Sequence, residues 1–351
     1  MDTHIDELIS EMKRNNYKQH EINQVLDYYR RLSERGKPVL FDAEHVRKVL
    51  KMDGIKRNAY HLYKVGSRYK TREIESPSLN LKNRQRWIVN HILEDEEIGS
   101  WIHGYVKGKS IVTNARVHLN KKRLLRIDIK HFFGSITFDM VKNLFVEIGY
   151  SKSAADELAR ICTFSTDMYC WNQEYEERNE YKYIPHGAPS SPYIANLVFQ
   201  KVDKQIIDLL QCKQIDYSRY ADDLFFSSDV DELSWIVQSV SALVQKYGFE
   251  INMGKTKLFK DNDIKLIMGL NLSNGLRVQN SYKRKLRQEI YYCKKFGIMN
   301  HLEHGGKEKK ANYQGYLYGK AYFINMVEPS EGKRFLKELD DLFAEDTYLY
   351  F

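Results

Sequence analysis

At 351 residues the chain is long enough to bury a large core and to divide into two or three subdomains. Aromatic residues are abundant (25 Tyr, 16 Phe, 4 Trp) and proline is scarce (6), which excludes a disordered chain. The formal net charge of +8, spread along the chain, fits a polyanion groove better than a basic tail, though a merely basic soluble protein would share it.

Four cysteines (Cys162, Cys170, Cys212, Cys293) stand far apart with no C-x-x-C pair, against a zinc module or a secreted disulfide scaffold. The acidic N-terminus has no apolar signal region, and no 18-residue apolar run reads as a membrane span. These features predict a reducing, cytoplasmic setting with no membrane partner.

Residues 1–50 read as amphipathic helices, with Ile5, Leu8, Ile9 and Met12 on one face and Ile22, Val25, Leu26 and Tyr29 repeating the spacing. Gly36-Lys37-Pro38 breaks the pattern, and Asp42 is placed to cap a third helix. Tyr60–Val65 and Lys70–Ile74 read as a hairpin turned at Gly66-Ser67. Its cations Lys64, Arg68, Lys70 and Arg72 suit a triphosphate, or simply a solvated face. In HGYVKGKSIVTNARVH (103–118), a glycine-bracketed loop with Lys107 and Lys109 could hold a phosphate ahead of a helix starting at Ser110. Asn114 and His118 share that helix's face, a spacing that also suits a local hydrogen bond.

Leu124, Leu125, Ile127 and Ile129 form a buried strand that carries Asp128; a carboxylate there needs a cation, from a metal or from a core salt bridge. Phe132 and Phe133 follow as apolar walls. Residues 165–183 have no clean period and read as an irregular insertion. In IPHGAPSSP (184–192), Gly187, Pro189 and Pro192 forbid regular structure before a helix that starts near Pro192. A rigid loop of this kind suits close approach to a sugar or phosphate, or serves only as a helix entry.

YSRYADDLFFS (217–227) reads as strand, tight turn, strand, with Asp222 and Asp223 at the turn. Paired aspartates at a turn are commonly solvated. In an apolar setting two carboxylates repel each other unless a cation joins them. Lys255 lies in a glycine-containing turn, and residues 264–279 are predicted to be one hairpin turned at Asn274-Gly275. Residues 283–310 then hold nine Lys or Arg against three Glu, with tyrosines interleaved, a composition that suits a nucleic-acid groove. His301 and His304 lack a third ligand for zinc.

The order of these motifs resembles a reverse transcriptase: Asp128 with Phe132-Phe133, PHGAPSSP, YADD (220–223), Gly254-Lys255-Thr256 and the Met268-Gly269 hairpin. The likeness runs from about residue 60 to at least 325. It implies an α+β, right-hand polymerase fold with fingers, an antiparallel-sheet palm and a helical thumb behind a helical N-terminal extension. The boundaries it implies are 1–50 for the extension, 51–275 for fingers and palm, and 276–351 for the thumb. GAPSSP and the NAxxH pattern (Asn114, Ala115, His118) resemble bacterial retron enzymes, with a retron-like insertion over about 105–123. Two departures stand out. Ile267-Met268-Gly269 replaces the retron VTG, and His186 stands where the family usually has Gln, which implies altered nucleotide affinity rather than lost activity.

The resemblance implies an RNA-directed DNA polymerase in which Asp128, Asp222 and Asp223 hold two Mg²⁺ ions, or Mn²⁺ in their place. Lys70 and Arg72 would hold the dNTP triphosphate, Phe133 would exclude a ribose 2′-OH, His186 would lie beside the incoming sugar with Gly187 also contacting the nucleotide, Ala188 and the following loop would bracket the nascent pair, and Lys255 would assist pyrophosphate departure. Asn114, His118, Lys283, Arg284, Arg287, Lys294 and Lys295 would contact RNA. The family copies a cognate structured noncoding RNA from a guanosine 2′-OH into branched msDNA, commonly in anti-phage defence with a separate effector protein. No RNase H segment is visible, so host RNase H would remove template. Group II intron enzymes would carry a maturase region beyond the thumb, and diversity-generating enzymes are near rivals. A catalytically silent RNA-binding antitoxin scaffold is the rival of another class, and retention of all three aspartates speaks against it.

Overall fold

The computed structural model describes residues 3–52, 59–67, 70–165, 182–304 and 312–347. The elements in chain order are α1 (Thr3–Arg14), α2 (Gln19–Glu34), α3 (Ala43–Val49), β1 (Tyr60–Ser67), β2 (Lys70–Pro77) and α4 (Leu79–Ile88), which ends in a π turn at Val89–Leu93. Then follow α5 (Ile111–Val117), β3 (Arg123–Asp128), α6 (Phe138–Ile148), α7 (Lys152–Cys162), β4 (Phe164–Ser165), β5 (Lys182–Tyr183) and α8 (Ser191–Leu209). β6 (Asp216–Tyr220), β7 (Asp223–Ser228), α9 (Ser234–Lys246), β8 (Lys257–Phe259), β9 (Leu266–Ile267), β10 (Leu270–Asn271) and β11 (Arg277–Val278) lead to the helices α10 (Asn280–Phe296), α11 (Ile298–His304), α12 (Tyr313–Val327) and α13 (Pro329–Thr347). The mixture is α+β, as the motif order implies, and no described helix is long and apolar enough to cross a membrane.

Contacts divide the chain into two compact units. The first comprises Met1–Gly99, Ile129–Asp208 and Leu243–Glu250. Its helices begin where a side chain satisfies an orphan N–H: Asp42 accepts from His45, Thr137 from Met140 and Ser151 from Ala154. Arg47 of α3 forks onto Glu157 of α7 through two 2.8 Å bonds. Phe132 stacks edge-on against Phe199, which does the same with Phe249, and the three fill one apolar site. β1 and β2 form the expected antiparallel hairpin. The Lys70 and Arg72 side chains, Arg68, and residues 166–181 of the expected insertion lie outside what is described.

The second unit comprises Ser100–Asp128, Leu209–Ala242 and Ile251–Phe351. Its centre is a four-stranded antiparallel sheet ordered β6-β7-β3-β8. Every residue of β7 is buried, which accounts for the continuous run Leu224-Phe225-Phe226 where an edge strand would alternate. Leu124 and Phe225 belong to one apolar cluster with Val112 and Ala115 of α5, Leu286 and Ile290 of α10, Leu317 and Ile324 of α12, and Phe335 and Leu339 of α13. α12 and α13 meet backbone to backbone, since a Cβ on Gly332 would lie 2.1 Å from the Asn325 Cα.

Residues 264–279 correct the single-hairpin expectation. They form a three-stranded meander, β9-β10-β11, whose first turn is Met268-Gly269. Both turn residues have positive φ (48° and 82°), the requirement of a two-residue type I′ turn, which a glycine at 269 meets without strain. Gly275, at φ 80°, turns only the second arm.

Candidate active site

Asp128 ends β3 directly opposite Asp223, the first residue of β7. Residues paired this way project from the same face, with Cα atoms roughly 4.5–5.5 Å apart in any such pair. Asp222 sits in the turn between β6 and β7, next to Ala221, which adopts a left-handed φ of 56°. The three aspartates named from sequence therefore lie at one end of one sheet. Asp128 (2% exposed) and Asp223 (5%) are buried, so their charges need partners close by.

Each partner is a cation of the same unit. Arg126 donates through Nε and Nη2 to both carboxylate oxygens of Asp223, at 2.8 and 3.0 Å. Lys255 Nζ reaches both oxygens of Asp128, at 3.0 and 2.9 Å. The turn that carries Lys255 is tied to the same strand end, because Asn252 N–H donates to the Asp128 carbonyl at 2.7 Å. Sequence reading missed Arg126. It stands two residues before Asp128, hence on the same face, and the Arg-x-Asp alternation was the available signal.

Burial pushes the Asp223 carboxyl up to about 6, with Asp222 and Asp128 adding to the rise and Arg126 opposing it. Asp222 is also raised, by burial first and then by the charge of Asp128, against its own backbone N–H, Lys255 and Arg126. Among the described residues no three His, Cys, Asp or Glu side chains already enclose a metal position. The donor set nevertheless fits a hard divalent cation. It is all carboxylate oxygen, it carries more negative charge than its burial tolerates, and the cation now on Asp128 is a half-exposed lysine on a flexible stem. Asp128 and Asp222 would be the principal ligands, with Asp223 held in place by Arg126.

The stretch 101–118 proves to be the support for this turn. Trp101 and His103 exchange backbone hydrogen bonds with Arg219 at 2.9 and 2.8 Å, so the segment runs alongside β6. Arg219 is fully buried and donates to the Ala221 carbonyl at 3.2 Å. Gly104 lies flat against the turn, where a Cβ would stand 2.5 Å from Ala221 N. The Tyr105 hydroxyl is pushed up by burial and then by the charge of Asp222, which places this phenol in the turn's field. Lys109 does not serve a phosphate, because its Nζ is spent on the Ser100 and Ile102 carbonyls at 2.6 and 2.7 Å.

Asn114 and His118 require correction as RNA contacts, being 0% and 1% exposed. His118 bridges the two arms of the aspartate hairpin, with Nε2 2.7 Å from Ser218 Oγ of β6 and Nδ1 2.7 Å from Ser227 Oγ of β7. Ser218 donates in turn to Asn114 Oδ1 at 2.7 Å. Burial first, then His103 and Lys121, push the imidazole down to about 3, so it is neutral, with one nitrogen donating and the other accepting. Lys283 is likewise buried, paired with Glu328 and Glu331 at 3.0 and 2.8 Å, and it pins α10 to α13 instead of facing RNA. Arg284, Arg287, Lys294 and Lys295 are exposed on α10, with Arg287 also paired to Glu331.

The remaining residues named from sequence belong to the first unit. Phe133 is half-buried, its ring 5.5 Å from that of His186. His186 donates its N–H to Glu75 Oε2 at 3.1 Å, and its Nδ1 lies 3.3 Å from the same oxygen. Burial alone would raise the Glu75 carboxyl, but the bonds from His186 outweigh it and hold the group below its usual range. Gly187 is explained by β2, since a Cβ would meet Glu75 O at 2.5 Å and the Ser76 Cα at 2.9 Å. Ala188 is 4% exposed, so its side chain backs the loop and presents no surface to a nucleotide.

Residues 62–316 match the family described as reverse transcriptase (RNA-dependent DNA polymerase). The retron Mx162 reverse transcriptase of Myxococcus xanthus is 29% identical over 295 residues, covering 77% of this chain and 58% of that protein. The retron Mx65 enzyme of the same organism is 28% identical over 271 residues, covering 75% and 60%. The retron Ec86 enzyme of Escherichia coli is 26% identical over 277 residues, covering 77% and 81%. The chain thus spans about three fifths of the length of the two Myxococcus relatives. With a match that takes in well over half of its residues and three aspartates at the end of one sheet, the chain belongs to the reverse transcriptase family and resembles its retron-type members.

Proposed function

We propose that the chain is an RNA-directed DNA polymerase of the retron type. The observation that carries this reading is the pairing of Asp128 with Asp223 across β3 and β7, with Asp222 on the adjoining turn. A divalent metal pair at this site, Mg²⁺ in the cell, would supply activation of the primer hydroxyl and neutralisation of the triphosphate. The chain's own part is placement. β3 and β7 fix the carboxylates, Arg126 orients Asp223, and Lys255 supplies a mobile positive charge beside Asp128, suited to the leaving pyrophosphate once drawn off the carboxylate. Phe133 is assigned to sugar discrimination and Lys70, Arg72 and His186 to the dNTP. Residues 51–275 are assigned as fingers and palm and 276–351 as thumb, with 1–50 an extension. Exposed Arg284, Arg287, Lys294 and Lys295 suit the RNA backbone.

The substrate is then a cognate structured noncoding RNA, copied from a guanosine 2′-OH into RNA-linked msDNA. A separate effector and host RNase H complete an anti-phage system. Nucleic acid copurifying with the native protein tests this. A hybrid sensitive to both RNase and DNase, with a 2′-linked branch on sequencing, is the expected result. RNA alone, with no DNA strand made on adding dNTPs and Mg²⁺, would favour a binding scaffold and contradict the proposal.

A further inference from the structure

α10, α11 and α12 line an open recess of about 160 Å³, walled by Tyr292 and Tyr316, floored by Glu289 and His301, and rimmed by Lys285 and Lys320. It is well below the roughly 300–1,000 Å³ of a site for a drug-sized molecule, so its volume suits a single ring system. Tyr292 (40% exposed) and Tyr316 (37% exposed) stand outside the apolar cluster that holds the helices together, and although each stacks on a ring of its own helix, Phe296 and Tyr313, each keeps more than a third of its surface open. The floor is already satisfied. Glu289 accepts from the Tyr313 hydroxyl at 2.6 Å and pairs with His301 at 2.8 Å. It therefore holds the Tyr313 and His301 rings in place, with His301 5.6 Å from Tyr292 and Tyr313 6.0 Å from Tyr316. At the rim, Lys320 Nζ lies 5.0 Å from the Tyr316 ring and 4.7 Å from that of Tyr282. Exposed Tyr291 and Phe296, with Lys295 over both rings, continue the aromatic and basic surface past Tyr292.

Aromatic walls around one ring-sized space, with two lysines in its lining, match the chemistry of one nucleotide: a base on the tyrosines and its flanking phosphates on the ammonium groups. A base inside a duplex cannot enter such a recess, because both its faces are already stacked. We propose that this recess binds one unpaired nucleobase of the RNA, extruded from its neighbours. Gln288 on the rim supplies an amide that can pair with the base edge. The inference rests on the reading of the chain as an RNA-binding polymerase and adds a structural preference to it.

The test uses the full chain and two probes, a fluorescein-labelled 12-nucleotide single-stranded RNA carrying one 2-aminopurine and the same sequence as a blunt duplex. Tyr316→Leu and Tyr292→Leu should each weaken single-strand binding about 5- to 150-fold, the span of one base stacked on one aromatic ring. Each should abolish the 2-aminopurine quenching and leave duplex binding unchanged, while Tyr316→Phe retains both signals. Equal losses on the two probes, or none on the single strand, would overturn the proposal. If a leucine variant loses its helical signal, Lys285→Ala with Lys320→Ala decides instead. That pair should lower the single-strand salt slope by about 0.7 per phosphate lost and spare the duplex, and equal effects on both would overturn it. Primer extension on a pre-annealed template, run alongside, separates the two readings. Its absence with selective single-strand binding counts against the polymerase alone, and its presence without selectivity counts against the recess alone.

Discussion

One methyl group at Gly104 should disable the aspartate turn. A Cβ there would stand 2.5 Å from Ala221 N and 3.2 and 3.3 Å from Tyr220 C and Cα, where ordinary contact begins near 3.4 Å. All three atoms are backbone, and Ala221 is held by its left-handed φ and by Arg219, so no side chain can rotate away. Segment and turn must separate by about 0.9 Å, and Asp222 moves with the turn. Overpacking of this kind costs roughly 1–3 kcal/mol of stability, and a displacement near 1 Å at a reacting centre costs about 100-fold in rate. Single-turnover dNTP incorporation on an RNA template with a DNA primer measures the second effect, and urea denaturation the first. Gly104→Ala should lose about two orders of magnitude in rate with a modest fall in midpoint. Gly108→Ala is the control. It has positive φ but open space, so it should cost about 1 kcal/mol and spare the rate. Wild-type rate and stability in Gly104→Ala would refute the reasoning.

Other substitutions probe the rest of the site. His118 is neutral in the fold and takes a proton below about 6.5 when unfolded. The stability it contributes is complete above that pH and is lost, at about 1.4 kcal/mol per pH unit, as pH falls toward about 3. His118→Gln should flatten the decline of urea stability between pH 6.5 and 4, leaving a residual slope from His103, which is pushed down to about 4 by its burial. An unchanged slope would show that the imidazole is not the group responsible. Arg126→Met leaves buried Asp223 without its fork and should destabilise by roughly 3 kcal/mol or less, since the guanidinium is partly solvated. Adding Asp223→Asn should recover most of that loss, and additive losses would argue against a direct pair. Phe133→Ala should admit rNTPs in a misincorporation assay, and undiminished sugar discrimination would remove Phe133 from that role.

Local rules carried far along this chain. Asp42 and Ser110 are caps because each precedes a helix whose first N–H groups need an acceptor, and that requirement is written in sequence. The aspartate hairpin followed from alternation and a turn in the same way. Burial of polar residues did not. Asn114 and His118 share one helical face, as their spacing says, but whether that face meets water or a sheet depends on β6 and β7, about a hundred residues away. Lys283 reads as a nucleic-acid contact until Glu328 and Glu331, from beyond α12, are placed against it. Gly187 signalled close approach correctly, yet its neighbour is the β2 backbone and not a sugar. The meander differs from the single-hairpin expectation because Asn-Gly is the stronger short-range turn signal, and sequence alone does not show that the Met268-Gly269 turn joins the same sheet.

The most direct test of the account is RNA-templated DNA synthesis by the purified chain and by its Asp222→Asn, Asp223→Asn double variant. Both substitutions keep side-chain shape while removing charge from a turn packed against Gly104 and bonded by Arg219, between strands that His118 bridges through their serines. The native chain should extend a DNA strand on RNA with dNTPs and Mg²⁺. The variant should fold, bind RNA and make no product, and synthesis by the double variant at the native rate would contradict the claim that this sheet end is where DNA is made.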